Sequence, residues 1–191
     1  MAIVGVLSLQ GAVTEHLDAL RACGVEARPV KTALGFEGLS GLILPGGEST
    51  TMAKLLRDFH LMAPLKEKIQ GGLPVWGTCA GLILLAREIE GEASHLGVMD
   101  MAVRRNAYGT QLDSFTTQTT IEEVSPSPIP LAFIRAPYIK SVGPQVTVLS
   151  RVDGHIVAAR QGFKLLATAF HPEVTGDERF HQYFIRNFCG I

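Results

Sequence analysis

Two short segments of this 191-residue chain carry residue types that could do covalent chemistry together. The first is Gly77-Thr78-Cys79-Ala80-Gly81, a G-x-C-x-G pattern. It follows an apolar run through Leu73, Val75 and Trp76 and continues into Leu82-Ile83-Leu84-Leu85-Ala86. That order predicts a strand, a sharp turn and a helix. It is the cysteine counterpart of the G-x-S-x-G elbow, which lifts a nucleophile above a sheet edge. Glycine suits both flanks, because a Cβ at either would collide with the neighbouring strand or helix. Cys79 would stand at a helix N-terminus, where the positive end of the macrodipole favours a thiolate. The second segment is His171-Pro172-Glu173, at the end of the apolar run from Leu165 to Phe170. In an extended segment residues i and i+2 face one side. His171 and Glu173 are therefore expected to turn toward one site, with Pro172 stiffening the backbone between them. A nucleophile needs a base, and the base needs a carboxylate to orient it. Taken alone, the first segment also fits a buried structural cysteine; the two together favour catalysis.

These residues need a scaffold, and the chain supplies alternating strands and helices. Ala2 to Leu9 is nearly continuous in apolar residues, as a buried central strand is. A helix is expected over about 13–22, closed by Gly24. Strands follow over 25–30 and 41–44, then helices over 51–59 and 63–70, then the elbow strand and its helix. This alternation predicts a doubly wound α/β sheet. The second half is poorer in helix. Short strands or hairpins are expected over 99–121, a turn or loop at Ser125-Pro126-Ser127-Pro128, and strands over 131–134, 146–149, 156–160 and 165–170. Asp153-Gly154 is a hairpin turn signal. A last helix is expected over 177–188. The architecture predicted is a three-layer α/β sandwich, one domain over 1–191, with a mostly parallel central sheet and antiparallel strands added at one side.

Composition excludes several partner classes. A formal net charge of −1 gives no electrostatic case for nucleic acid or an anionic membrane. The three cysteines, Cys23, Cys79 and Cys189, form neither a disulfide framework nor a zinc pattern, and they suit a reducing cytosol. The N-terminus lacks the basic region and cleavage site of a signal peptide, so a cytoplasmic location is expected. His16, His60, His95, His155 and His181 have no motif around them and are expected to be surface or structural.

In an open α/β sheet the site lies beyond the carboxyl ends of the strands. Gln10-Gly11, the loop from Pro45 to Thr50, Cys79 and His171 should converge there. Gly46-Gly47 would let a backbone N–H approach a reacting carbonyl, with the Ala80 N–H as second oxyanion donor. A phosphate cradle is the competing reading of two glycines before a helix. It lacks the Gly-Lys-Ser/Thr ending, and Glu48 would repel phosphate.

Gly-Thr-Cys-Ala-Gly with a distant His-Pro-Glu resembles the class I, triad-type glutamine amidotransferases. Leu9-Gln10-Gly11-Ala12-Val13, Pro45-Gly46-Gly47-Glu48-Ser49-Thr50-Thr51-Met52, Arg105-Asn106 and Phe133-Ile134-Arg135-Ala136-Pro137 narrow the likeness. Together they resemble the glutaminase subunits of pyridoxal 5'-phosphate synthases, over nearly the whole chain. Ser8 is a small departure, at a position where glycine often sits. The resemblance implies a flavodoxin-like sheet and a Cys79–His171–Glu173 triad that hydrolyses L-glutamine through a γ-glutamyl thioester. It implies an oxyanion hole from Gly47 and Ala80, and glutamine held by Gly47, Glu48, Ser49, Arg105, Ile134 and Arg135. Gln10 and Gly46 would line the site. It further implies a separate synthase subunit, bound as a hetero-oligomer. That subunit would use the ammonia, with ribose 5-phosphate and glyceraldehyde 3-phosphate, to make pyridoxal 5'-phosphate, and docking would activate the glutaminase. No cofactor is expected on this chain. The alternative activity is a stand-alone γ-glutamyl hydrolase or peptidase on the same fold. Related cysteine proteases and chaperones usually place His after the elbow cysteine, where this chain has Ala80. An inactive binding module would not be expected to keep all three triad residues.

Overall fold

A computed structural model describes residues 2–105 and 114–191. The chain runs β1 (Ile3–Leu7), α1 (Val13–Ala22), β2 (Glu26–Val30), β3 (Gly41–Leu44), α2 (Ser49–Asp58), α3 (Met62–Gln70), β4 (Val75–Thr78), α4 (Ala80–Leu85) and β5 (Ala86–Ile89). It continues through β6 (Met99–Arg104), β7 (Ser114–Ile121), β8 (Ser125–Ile134), β9 (Tyr138–Val142), β10 (Val146–Val152), β11 (His155–Gln161), β12 (Leu165–Thr168) and α5 (Arg179–Asn187). Short 3-10 helices cover Ala33–Phe36 and Pro172–Val174.

The strands β2-β1-β3-β4-β12 lie side by side in that order, all parallel. This is the flavodoxin-like order, with the last strand beside the fourth. β3, β4 and β12 are buried along their whole length, which is why their sequences are continuous in apolar and small residues instead of alternating. Beyond β12 the sheet turns antiparallel through β11 and β9 to β6, β5 lies parallel to β6, and β10 pairs with β11. β7 and β8 form a separate antiparallel hairpin.

Side-chain alternation along β4 places helices on both faces. Trp76 points to one face, where its ring packs with Phe180 and Phe184 of α5 and edge-on with His16 of α1. Gly77 points to the other, where a Cβ would come within 2.4 Å of the Gly81 backbone in α4. Gly81 is in turn so close to β3 that a Cβ would sit 2.0 Å from the Leu44 carbonyl oxygen. The two flanking glycines of the elbow are thus required by backbone-to-backbone packing. Asp153 (φ 50°) and Gly154 (φ 81°) form the expected tight turn between β10 and β11. Both positive φ values match the twist of a hairpin.

Two expectations need correction. Ser125-Pro126-Ser127-Pro128 is not a loop but the first part of β8. The missing proline donors are tolerated because, among the described residues, β8 pairs with β7 alone, and Arg179 of α5 donates to the Pro128 carbonyl and Ser125 Oγ. The elbow helix is only six residues long, and Ala86 opens a strand instead of extending it. The dipole behind Cys79 is correspondingly small. Of the hairpins expected over 99–121, β6 and β7 are present, and 106–113 lie outside the described residues.

Candidate active site

Cys79 stands on the turn between β4 and α4 with φ 48° and ψ −102°, a backbone conformation a side chain rarely adopts. Such strain persists where the surroundings over-determine it. Here the Cys79 N–H donates to the Thr168 carbonyl at 2.8 Å, and the Gly77–Gly81 packing fixes both ends of the turn. Ala80 is the first residue of α4, so its N–H has no partner within the helix.

His171 follows β12 and is held by its own backbone, whose N–H donates to the Ala132 carbonyl of β8 at 2.8 Å. Its Nδ1 is 2.7 Å from Glu173 Oε1, and both side chains are buried. The pairing was expected from an extended His-Pro-Glu. The structure achieves it differently: Pro172–Val174 is a 3-10 turn, and the turn curls the carboxylate back onto the imidazole. Burial alone would lower the His171 pKa. Hydrogen bonds to Cys79 and Glu173, together with their charges, outweigh it and push the value up to about 10.

The loop after β3 closes over this pair. Gly46 packs so tightly on the imidazole that a Cβ would lie 2.3 Å from His171 Cε1. Its carbonyl accepts from the Ala12 N–H at 2.9 Å, and Gly11 must be glycine because a Cβ there would meet that same oxygen at 1.9 Å. Gln10 Oε1 accepts from the Glu48 N–H at 2.9 Å, so the segment after β1 holds the Gly46-Gly47 loop at two points. Glu48 caps α2, accepting from the Thr50 and Thr51 N–H groups and the Thr51 hydroxyl, and it pairs with Arg105 at 2.9 Å. Desolvation would raise its pKa, but these donors outweigh it and hold the carboxyl at about 2.

Together these elements line a cleft of about 430 Å³. Every residue named from the sequence except Glu173 faces it: Gln10, Gly46, Gly47, Glu48, Ser49, Cys79, Ala80, Arg105, Ile134, Arg135 and His171. Glu173 lies behind His171. The Ser49 hydroxyl is buried and has no hydrogen-bond partner among the described residues. Arg105 is not a solvated surface charge; it spans Glu48, Thr50 and Glu92. Asn106 lies outside the described residues. Among the described residues, no cluster of His, Cys, Asp or Glu is arranged to hold a metal ion.

The SNO glutamine amidotransferase family model matches residues 6–190. The chain belongs to that family. It is 56% identical over 187 residues to the pyridoxal 5'-phosphate synthase subunit PdxT of Clostridium botulinum, covering 97% of this chain and 96% of that one. It is 54% identical to the PdxT subunit of Ruminiclostridium cellulolyticum, covering 95% and 96%. A crystal structure of a glutamine amidotransferase superposes with TM-score 0.92 at 44% identity, covering 98% of this chain and 99% of that one. A glutamine amidotransferase from Thermotoga maritima, at 15% identity and TM-score 0.63 over 97% and 81%, shares the fold.

Two residues at the site of this SNO-family chain escaped the sequence reading. His16 and His181, expected to be surface or structural, are both fully buried, and His16 Nε2 lies 3.5 Å from Glu173 Oε2. A signal was present. Val13, His16, Leu17 and Leu20 share one helical face, as do Phe180, His181, Phe184 and Phe188. A histidine within an apolar stripe is buried and therefore needs partners. No helix among the described residues is long and apolar enough to cross a membrane.

Proposed function

We propose that this chain hydrolyses L-glutamine to L-glutamate and ammonia with Cys79 as nucleophile, His171 as proton carrier and Glu173 as its orienting carboxylate. It supplies the ammonia to a synthase subunit that makes pyridoxal 5'-phosphate. The observation that carries the residue roles is the contact of His171 with Glu173 beside a cleft that His171 lines together with Cys79, Gly46 and Gly47. The names of the relatives, pyridoxal 5'-phosphate synthase subunits, support the partner.

The Cys79 sulfur attacks the side-chain carbonyl carbon of glutamine. The oxyanion that forms is met by the N–H groups of Ala80 and Gly47, each such donor being worth ~10²–10³-fold in rate. With its pKa near 10, His171 rests as the imidazolium at neutral pH, so the proton for the departing ammonia is already in place. Loss of ammonia leaves a γ-glutamyl thioester and a neutral imidazole. The imidazole then takes a proton from water, whose oxygen attacks the thioester; the adduct collapses to release glutamate and the thiolate, restoring the thiolate–imidazolium pair. Ser49 with its unpartnered hydroxyl, Glu48, Arg105, Ile134 and Arg135 line the cleft and would hold the amino-acid end of the substrate. The chain acts as one domain over 1–191 in the cytoplasm, bound to its synthase.

The test is steady-state ammonia release from glutamine by the chain titrated with its synthase. Cys79→Ala should abolish hydrolysis while the complex still works on added ammonium salt; undiminished hydrolysis would remove Cys79 from the mechanism. Docking should raise the wild-type rate by up to ~10²–10³-fold if it completes the oxyanion hole. A full rate without the synthase would favour a stand-alone γ-glutamyl hydrolase.

A further inference from the structure

Glu173 is fully buried, yet only one of its oxygens is well satisfied. Oε1 meets His171, whereas Oε2 makes no close hydrogen bond among the described residues and lies 3.5 Å from His16 Nε2. The same His16 nitrogen is 3.1 Å from Thr78 Oγ1, on the residue just before Cys79. The other ring nitrogen of His16, Nδ1, is 2.9 Å from His181 Nε2. His16, Thr78 and His181 are all 0% exposed, and the Trp76 indole packs edge-on against both imidazoles.

We infer that His16 is a positioning residue for the His171–Glu173 pair: its Nε2–H, fixed in that tautomer by His181, is shared between Thr78 Oγ1 and Glu173 Oε2. The inference rests on the reading of Cys79, His171 and Glu173 as the reacting set. It adds a chain of contacts from α5 through α1 to the carboxylate, and ties that carboxylate to the strand bearing the nucleophile.

The geometry selects the tautomer. The pair of nitrogens at 2.9 Å needs one proton between them. If His16 Nδ1 carried it, His16 would turn an Nε2 lone pair toward a carboxylate oxygen, and His181 would bury an unpaired Nδ1–H. If His181 Nε2 carries it, His16 presents Nε2–H to the carboxylate, and the one group left over is the bare His181 Nδ1, which has no partner among the described residues. The second arrangement removes both penalties. The groups facing His16 are Glu173 and, beyond it, His171 from the 3-10 turn, His181 from α5, and Thr78 and Trp76 from β4. Although His16 and Glu173 are within ion-pair distance, burial and the neighbouring imidazoles hold His16 well below its ordinary pKa. The contact is therefore a neutral N–H on a carboxylate. Protonating His16 would force His181 into its Nδ1–H tautomer, burying an N–H with no partner among the described residues.

The first test needs no variant. Long-range ¹H–¹⁵N spectra of the wild-type chain should show His16 as the neutral Nε2–H tautomer; the Nδ1–H tautomer or an imidazolium at pH 7 would overturn the inference. The second uses the chain with its synthase. His16→Leu should lower kcat for glutamine roughly 10-fold, the scale of one hydrogen bond to a buried charged group, with KM changed less than about 2-fold. The acid limb of kcat/KM should move up by about one pH unit, because the reacting set loses a donor that favours its charged form. His16→Gln, which can restore a donor near Nε2, should recover most of the rate and the limb. Loss of stability with an unmoved limb and unchanged kcat would reduce His16 to packing and overturn the proposal. If His16→Leu does not fold, His181→Leu should give a smaller shift of the same limb by releasing the tautomer, and no shift there would overturn it. Cys79→Ala in the same assay separates the two readings. Activity in that variant sinks the reacting set itself, whereas inactivity there with a wild-type His16→Leu profile sinks only the role of His16.

Discussion

The two buried imidazoles make a sharp prediction about acid stability. His16 is held well below its ordinary pKa by burial, and His181 is lowered to about 4 by the same cause. In the unfolded chain both should titrate near 6.5. A group whose folded pKa is depressed contributes fully above the unfolded value and loses that contribution as pH falls. Below about 6.5 the unfolded state gains two protons that the native state refuses. Each such proton gives a slope of about 1.4 kcal/mol per pH unit. At pH 5 the loss is roughly 2 kcal/mol per imidazole and about 4 kcal/mol for the pair. Against a typical domain stability of ~5–15 kcal/mol this is large. The half-buried His95, also lowered, adds a smaller share. Other shifted groups stay out of this window. His171, raised to about 10, contributes fully below its unfolded value, and that contribution is lost progressively as pH rises from about 6.5 to about 10. Glu48, lowered to about 2, contributes fully above its unfolded value of 4.5 and fades progressively as pH falls from there to about 2. Urea unfolding followed by circular dichroism between pH 7 and 5 measures the slope directly. The expectation is a proton difference of two or slightly more near pH 5, about halved in His181→Gln. A stability constant to within about 1 kcal/mol across that range would refute the buried, neutral pair.

Gly46→Ala should place a methyl 2.3 Å from His171 Cε1 and 2.8 Å from Nδ1, in a ring already pinned by Glu173. Ammonia release should fall by ~10²-fold or more with the fold retained, as misplacing a reacting group does; a wild-type rate would mean that the loop does not rest on the ring during turnover. Glu173→Gln should drop the His171 pKa from about 10 toward the ordinary histidine range, since a charge and a charged hydrogen bond are lost. A pH titration of the His171 ring signals by NMR checks this, and an unmoved midpoint would assign the shift to Cys79 alone.

Much of the scaffold was legible because it depends on local pattern. β1, β3, β4 and β12 are apolar runs ending in loops that carry the site, and a parallel sheet brings such ends together whatever lies between. The elbow was legible because two glycines flank one cysteine, and both turn out to touch backbone. β8 was read as part loop because prolines signal turns, and only the fold reveals that Arg179 donates to the Pro128 carbonyl within it. β5 was absorbed into the elbow helix: Leu84-Leu85-Ala86 suits a helix locally, but pairing of Ala86 with Met99 ends it. His171 and Glu173 meet as expected through a turn that was not expected, since a strand and a 3-10 turn both bring i and i+2 within reach here. His16 lay too far in sequence from Glu173 for any motif to join them.

The backbone bond from His171 to Ala132 in β8 has a mechanical meaning. The strand that delivers Ile134 and Arg135 to the cleft is riveted to the residue carrying the imidazole, so that wall and the imidazole travel as a unit. The opposite wall, Gly46-Gly47, is riveted elsewhere, to Gln10 and Ala12 after β1. The two sides of the cleft thus hang on different parts of the chain, and they meet where Gly46 rests on the His171 ring, the contact that leaves no room for a side chain at that position.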